Sequence, residues 1–306
     1  MPEPTLFIDG EAGTTGLEIR EKLAHVRGLT VRSIDPAHRK DPAARREMMA
    51  SVDLVVLCLP DAAAKESVAL AQTLGADAPK ILDASTAYRV DPDWVYGFAE
   101  MAPGQGVAIA AAARVSNPGC YPTGAIALLR PLVEAGLVPR DFPVSINAVS
   151  GYSGGGRQMI EAYEAGTAPA FELYGLGLEH KHVPEVQGYA RLTRRPIFVP
   201  SVGNFRQGML VSIPLHLDAL PGAPKAADLE EALSAYYGAG GLVTVVPTAG
   251  ENRIEPQALN GTDTLELRVF GNEGMRHALL VARLDNLGKG ASGAAVQNIG
   301  LMLGLV

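Results

Sequence analysis

Through the first third of the chain, short continuous apolar runs alternate with segments whose apolar positions recur every three or four residues. Residues 5–9, 29–34, 52–59 and 80–86 read as strands buried on both faces, as in parallel sheets. Between them 17–23 and 62–74 carry helical spacing, and 107–110 (Val-Ala-Ile-Ala) reads as a fifth short strand. This alternation, running to about residue 115, predicts a doubly wound sheet of Rossmann type. Beyond it the pattern changes. Residues 143–150, 208–217, 264–271 and 277–285 alternate apolar and polar positions with few helices between them. That predicts a mixed or antiparallel sheet, and so an α/β chain with an α+β second domain. Residues 291–303 read as a last helix, expected to return to the first domain.

Composition narrows the classes. At 306 residues and 47% apolar, the chain has room for two cores rather than one. The balance of 26 basic against 33 acidic residues, with no basic patch, argues against nucleic acid and anionic membrane as partners. No run of 18 apolar residues exists, and Met1-Pro2-Glu3-Pro4 lacks the pattern of a signal peptide, so a cytoplasmic location is expected. Two cysteines make no disulfide scaffold. Cys58 falls inside an apolar strand and reads as core, which leaves Cys120 as the candidate nucleophile.

Three stretches carry chemistry. The first is Gly10-Glu11-Ala12-Gly13-Thr14-Thr15-Gly16, between the first strand and a helix. Glycines there permit a tight turn and bring backbone amides to a pyrophosphate at the helix start, although G-x-x-G-x-x-G alone is a weak motif. The residues after the second strand read the ribose. Asp35 could accept from a 2′-hydroxyl, whereas Ser33, Arg39 and Lys40 tilt the reading toward NADP. Pro60 and Ser85 stand at the carboxyl ends of the third and fourth strands, where open α/β sheets bind ligands.

The second stretch is Ser116-Asn117-Pro118-Gly119-Cys120-Tyr121-Pro122-Thr123-Gly124. Pro118-Gly119 is turn chemistry and Pro122 suits the first position of a helix, so Cys120 is expected at a helix start. Unpaired amides and the macrodipole favour thiolate there, and the same amides suit an oxyanion hole.

The third is Glu179-His180-Lys181-His182-Val183-Pro184-Glu185, again before a helix start marked by proline. Histidines in that position favour the neutral imidazole, able to take a thiol proton and to donate to an alkoxide. His182 risks being consumed as a helix cap, which favours His180, with Glu185 placed to orient a ring. His-x-His also suits a metal, but no third ligand stands at a supporting spacing, so none is expected. Arg157, after Ser153-Gly154-Gly155-Gly156, is the strongest anion clamp, with Arg114 and Arg206 behind it.

These residues, with Ser150 to Arg157 and the tail Asn286-Leu287-Gly288-Lys289-Gly290-Ala291-Ser292-Gly293-Ala294-Ala295-Val296-Gln297-Asn298, resemble the shorter type of N-acetyl-γ-glutamyl-phosphate reductase nearly end to end. Asp61 agrees with the short type. The resemblance implies residues 1–117 with 287–306 as an NADP-binding domain and 118–286 as a catalytic and oligomerisation domain. It implies Cys120, His180 and His182 as catalytic. Arg114, Asn117, Ser150, Gly151, Arg157 and Glu185 would meet substrate. Gly10, Gly13, Thr14, Thr15, Gly16, Ser33, Arg39, Lys40, Pro60, Ser85, Gly154, Gly155, Asn286, Gly288 and Asn298 would meet NADP. It further implies an acyl phosphate or semialdehyde with phosphate as small-molecule partners, a place in arginine biosynthesis and a homodimer or homotetramer. Aspartate-semialdehyde dehydrogenase chemistry is the nearest rival. A nucleotide-sensing protein without catalysis, or a cysteine hydrolase, stands further off.

Overall fold

A computed structural model describes residues 3–305. Met1, Pro2 and Val306, at the ends of the expected cofactor domain and of the Met1–Pro4 segment, lie outside the described residues. The chain divides into two compact units, one running to Pro118 and resuming at Ala291, the other spanning Gly119–Gly290.

The first unit contains β1 (Thr5–Asp9), α1 (Thr14–Leu23), β2 (Thr30–Arg32), α2 (Pro42–Ala50), β3 (Leu54–Leu57) and α3 (Asp61–Gln72). It continues through β4 (Lys80–Asp83), β5 (Val95–Tyr96), α4 (Gln105–Ala111) and β6 (Arg114–Ser116). The strands form one sheet in the order β2-β1-β3-β4-β6-β5, parallel at every pairing. Because successive side chains point to opposite faces, β1 feeds two cores. Leu6 and Ile8 join Ile19, Leu54, Val56 and Leu82 on one side, while Phe7 joins Val55, Leu57, Met49 and Val68 on the other.

One expectation fails here. Residues 107–110 are not a strand but the middle of α4. Gly104, at φ 81, starts the helix, and only Ile109 of α4 is buried, with Val107 75% exposed. An alanine-rich run with one apolar stripe satisfies its backbone as a helix, whereas a central parallel strand would need both faces covered. The next strand of the sheet is instead β6, held beside β4 by pairing of Leu82 with Val115.

The second unit opens with α5 (Cys120–Glu134) and continues through β7 (Ser145–Gly151), α6 (Arg157–Glu164), β8 (Phe171–Leu173), α7 (Val183–Tyr189) and β9 (Ile197–Gly203). It ends with β10 (Met209–His216), α8 (Ala226–Tyr237), β11 (Val243–Val245), β12 (Leu265–Asn272) and β13 (His277–Leu284). Its seven-stranded sheet runs β11-β12-β13-β10-β7-β9-β8. It is mixed, with β7–β9 and β11–β12 parallel and the other pairings antiparallel. α5 lies against this sheet through Gly124, where an added Cβ would come 3.0 Å from Val211 and 3.2 Å from Ala282. After Gly290 the chain returns to the first unit as α9 (Gly293–Leu303), whose Ala295, Ile299 and Met302 complete the core around Leu6 and Ile8.

Candidate active site

The glycine loop closes β1 onto α1. Gly10 adopts φ +90, and an added Cβ would meet the Cys58 carbonyl oxygen at 2.4 Å. At Gly16 it would meet the Gly10 carbonyl oxygen at 2.6 Å, so both positions require glycine to let the loops after β1 and β3 pack. Gly13 is the N-cap of α1 and has no side chain to cap the first-turn amides of Thr14 and Thr15. This cradle fits a pyrophosphate at the point where strand order reverses around β1. A cleft of about 210 Å³ continues from it, lined by Gly10, Glu11, Ile34, Arg39 and Lys40. Asp35 is committed elsewhere, accepting the Ala37 amide at 2.8 Å in a tight turn.

Three residues assigned to ligands have their side chains engaged by the fold. Ser85 donates to buried Asp83 at 2.7 Å and accepts from the Ala87 amide at 3.1 Å. Asn298 donates to the Gly97 carbonyl at 2.9 Å and to Asn117 at 3.0 Å, while Asn117 donates to the Ala291 carbonyl at 3.0 Å. These amides hold α9 to the end of β6, which is a packing duty. Arg114 stands at the amino end of β6, away from the carboxyl end that leads toward Cys120. Pro60 is the N-cap of α3.

Cys120 is the first residue of α5, with Gly119 as N-cap, so Pro122 is the third helical residue rather than the first. The consequence is chemical. The Gly119 amide donates to the buried Glu185 carboxylate at 3.1 Å, and Pro122 has no amide, so neither of these backbone positions offers an oxyanion donor. Glu185 therefore pins the turn before Cys120. Gly290 closes the other side, where an added Cβ would come 2.9 Å from the Cys120 Cβ. Neither cysteine is in a disulfide. Burial, reinforced by Asp83 and Asp9, pushes the Cys58 thiol up to about 12, which removes it as a nucleophile.

Around Cys120 the second unit assembles a cluster of rings. His180 lies 5.1 Å from Phe198, 5.8 Å from Tyr174 and 4.7 Å from His182, and Tyr121 lies 5.9 Å from His182. Tyr174 donates to the Tyr121 hydroxyl at 3.1 Å, which donates to the Ser201 carbonyl at 3.0 Å. Burial raises both phenols, and the Cys120 thiol raises them further, so each tyrosine lies within electrostatic reach of that sulfur. Burial, and then the neighbouring Lys181, hold His180 down at about 4. Its Nδ1 accepts the His182 amide at 3.2 Å, which fixes the proton of the neutral ring on Nε2. The His182 side chain, by contrast, makes no cap hydrogen bond to α7.

The turn after β7 completes the unit. Gly151 sits against Arg206 and Gln207, where an added Cβ would lie 2.5 Å from backbone, and Ser150 donates to the Gly151 carbonyl at 3.0 Å. Gly154 and Gly155 form a short turn leading to Arg157, the exposed first residue of α6. Asn286 accepts the Gly208 amide at 2.8 Å and donates to Ser153 at 2.9 Å, and an added Cβ at Gly288 would strike the Thr262 carbonyl oxygen at 2.0 Å. Both stitch loops of the second unit together. Arg206 pairs with Glu164 at 3.2 Å on the surface.

Sequence reasoning did not find Tyr121, Tyr174, Phe198, Ser201 or Gly290. Adjacency of Tyr121 to Cys120 was the one available signal. The others come from strands and loops that only the fold brings near.

Comparison with known proteins follows this geometry. The chain matches the model for the semialdehyde dehydrogenase NAD-binding domain over residues 11–108 and that for the semialdehyde dehydrogenase dimerisation domain over residues 120–286. The N-acetyl-γ-glutamyl-phosphate reductase of Chelativorans sp. is 54% identical over 305 residues, covering 97% of each chain. That of Brucella anthropi is 54% identical over 312 residues, covering 99% of this chain and 100% of the relative. That of Burkholderia cenocepacia is 52% identical over 311 residues, with 99% and 98% covered. Among solved structures, aspartate semialdehyde dehydrogenase II of Vibrio cholerae, complexed with ASA, gives a TM-score of 0.72 at 15% identity, covering 99% of each chain. The Francisella tularensis aspartate semialdehyde dehydrogenase gives 0.73 at 12% identity, with 97% and 98% covered. At such identities the structural likeness speaks for the fold alone.

Proposed function

Because this chain belongs to the N-acetyl-γ-glutamyl-phosphate reductases of the semialdehyde dehydrogenase family, we propose that its second unit carries their chemistry on Cys120 and His180. The reaction is the NADPH-dependent reduction of N-acetyl-γ-glutamyl phosphate to N-acetylglutamate 5-semialdehyde and phosphate, in arginine biosynthesis.

Cys120 attacks the γ-carbonyl carbon as thiolate, a C–S bond forms, and the C–O bond to phosphate breaks. The cysteine then holds a thioester. NADPH, when bound, supplies the hydride that reduces this carbonyl. His180, with its proton on Nε2, donates to the carbonyl oxygen and stabilises the oxyanion that hydride addition creates. Collapse of the thiohemiacetal breaks the C–S bond, releases the semialdehyde and restores the thiolate. Glu185 and Gly290 act as positioning residues, fixing the turn and the helix start that aim the sulfur. Arg157 binds the anionic ends of the substrate. His182 keeps His180 in its donor tautomer through its amide.

One observation carries this reading. Cys120, at the first turn of a buried 15-residue helix, shares two tyrosines with a histidine held neutral. The chain works as a homodimer or homotetramer in the cytoplasm, with assembly supported by the dimerisation-domain match over residues 120–286. In a direct test, Cys120→Ser retains less than about one part in a thousand of wild-type kcat with N-acetyl-γ-glutamyl phosphate. Activity within tenfold of wild type, or a wild-type preference for aspartyl phosphate, would overturn the assignment.

A further inference from the structure

At Glu11, which lines the cofactor cleft, two side chains share one carboxylate oxygen. Ser33 donates to Glu11 Oε2 at 2.8 Å, and Arg20 donates both to that oxygen, at 2.9 Å, and to the Ser33 hydroxyl, at 2.8 Å. The sequence explains how they meet. Glu11 is the second residue after β1, Ser33 immediately follows β2, and helical side chains lean toward the helix start, so Arg20 reaches back along α1 to the loop. In a doubly wound sheet the residue after the second strand reads the adenine ribose at its 2′ position. Here that residue is Ser33, and Glu11 lines the same cleft as Arg39 and Lys40. A 2′-phosphate brings a dianion into this corner. Its charge suits Arg20, Arg39 and Lys40, but the only hydroxyl proton of Ser33 and an Nη1 proton of Arg20 are already given to a carboxylate. A 2′-hydroxyl brings no charge and does not compete.

We propose that Glu11 sets the margin between 2′-phosphorylated and 2′-hydroxyl nucleotides, by competing with the 2′-phosphate for Ser33 and Arg20. The proposal rests on the cofactor site of the preceding reading. On binding, the phosphate takes both donors and Glu11 is displaced toward water, which its side chain, 24% exposed beside an Arg20 that is 46% exposed, can reach without disturbing the core. The margin is thus smaller than the three cations alone would give.

The test uses two probes that differ only in the 2′-phosphate, adenosine 2′,5′-bisphosphate and 5′-AMP, titrated calorimetrically into the full-length protein. Glu11→Gln keeps the shape and removes the charge. It is expected to tighten the bisphosphate about tenfold and to leave AMP within about twofold. Arg20→Gln is expected to weaken the bisphosphate about tenfold with AMP unchanged. If Glu11→Gln shifts both probes by one factor, or leaves their ratio as in wild type, the inference is wrong. Weaker AMP binding by Glu11→Gln would also overturn it, since Glu11 would then be an acceptor for the ribose hydroxyl. Thermal unfolding of each variant checks that it is folded, and Glu11→Ala, expected to behave as Glu11→Gln, serves if the first is not. A wild-type chain that binds neither probe would remove the cofactor site itself, a failure visible before any variant is made.

Discussion

His180 shows how one side chain acquires a role from its surroundings. Burial and Lys181 disfavour its charged form, and the His182 amide occupies Nδ1. Its ring is therefore neutral throughout the physiological range and presents Nε2–H as a donor. The linkage has a definite sign. A pKa of about 4 in the folded chain against 6.5 means that, between those values, the unfolded chain binds the proton that the folded chain refuses. Stability from this group is complete above pH 6.5, is lost as pH falls toward 4, and falls no further below it. In ¹³C-histidine NMR, the signal assigned through His180→Asn should stay fixed from pH 8 to about 5.5. A midpoint near 6.5 would mean that the ring is solvated and is not the donor described. At this scale the sequence made the two segments legible, because proline-marked helix starts beside Cys120 and beside His180-Lys181-His182 are local patterns. It did not reveal what each side chain would touch. Glu185, three residues beyond His182, holds the Gly119 amide, a pairing across 66 positions that no local pattern encodes.

Among the elements, α1 and α5 do related work with opposite starts. Gly13 leaves the first turn of α1 without a side-chain cap, while Gly119 and Cys120 put a sulfur at the first turn of α5. Each start depends on glycines that lie against backbone or another loop, and the two can be broken separately. Gly16→Ala places a methyl 2.6 Å from the Gly10 carbonyl oxygen, forcing the loop open. Dinucleotide affinity should fall by about tenfold or more, while the rate of Cys120 alkylation by iodoacetamide stays near wild type. Gly290→Ala places a methyl 2.9 Å from the Cys120 Cβ and should do the reverse. Cofactor affinity would hold while kcat falls about tenfold to a hundredfold, since an ångström of displacement at the nucleophile has that effect. If both variants lose cofactor binding and alkylation together, the two helix starts are not independent. The long strands β10, β12 and β13 were legible because alternation over eight residues is a strong signal. Residues 107–110 misled because four apolar residues satisfy both periods, and Gly104 with its left-handed φ decides for helix. β5, β8 and β11, of two or three residues, owe their pairing to neighbours in the sheet.

For the molecule as a whole, the chain passes between its units twice, between Pro118 and Gly119 and again between Gly290 and Ala291. Gly290 packs on Cys120, so the first and last residues of the second unit lie beside the same cysteine. The rest of that unit has a different duty. Its seven-stranded sheet is covered by α5 on the side of Val211 and Ala282, and strand alternation sends Pro214, His216, His277 and Leu279 to the other side. There Leu279 is 38% exposed, in a groove of about 390 Å³ that it shares with Phe270 and the facing rings of His216 and His277. A sheet face that keeps apolar side chains in water gains from being covered, and the prediction here is that a second copy of this chain covers it. A leucine buried in such a contact contributes about 1.5–3 kcal/mol, and an isologous contact counts it once from each protomer. Leu279→Lys should therefore weaken association by about a hundredfold or more, with a lysine charge left to bury as well. In size-exclusion chromatography with light scattering, the variant should run at the mass of one chain at concentrations where the wild type is assembled. Its far-ultraviolet circular dichroism should match the wild type. An assembled Leu279→Lys would move the interface to another face, such as the one near Phe171 and Ile197, exposed at 56% and 51%.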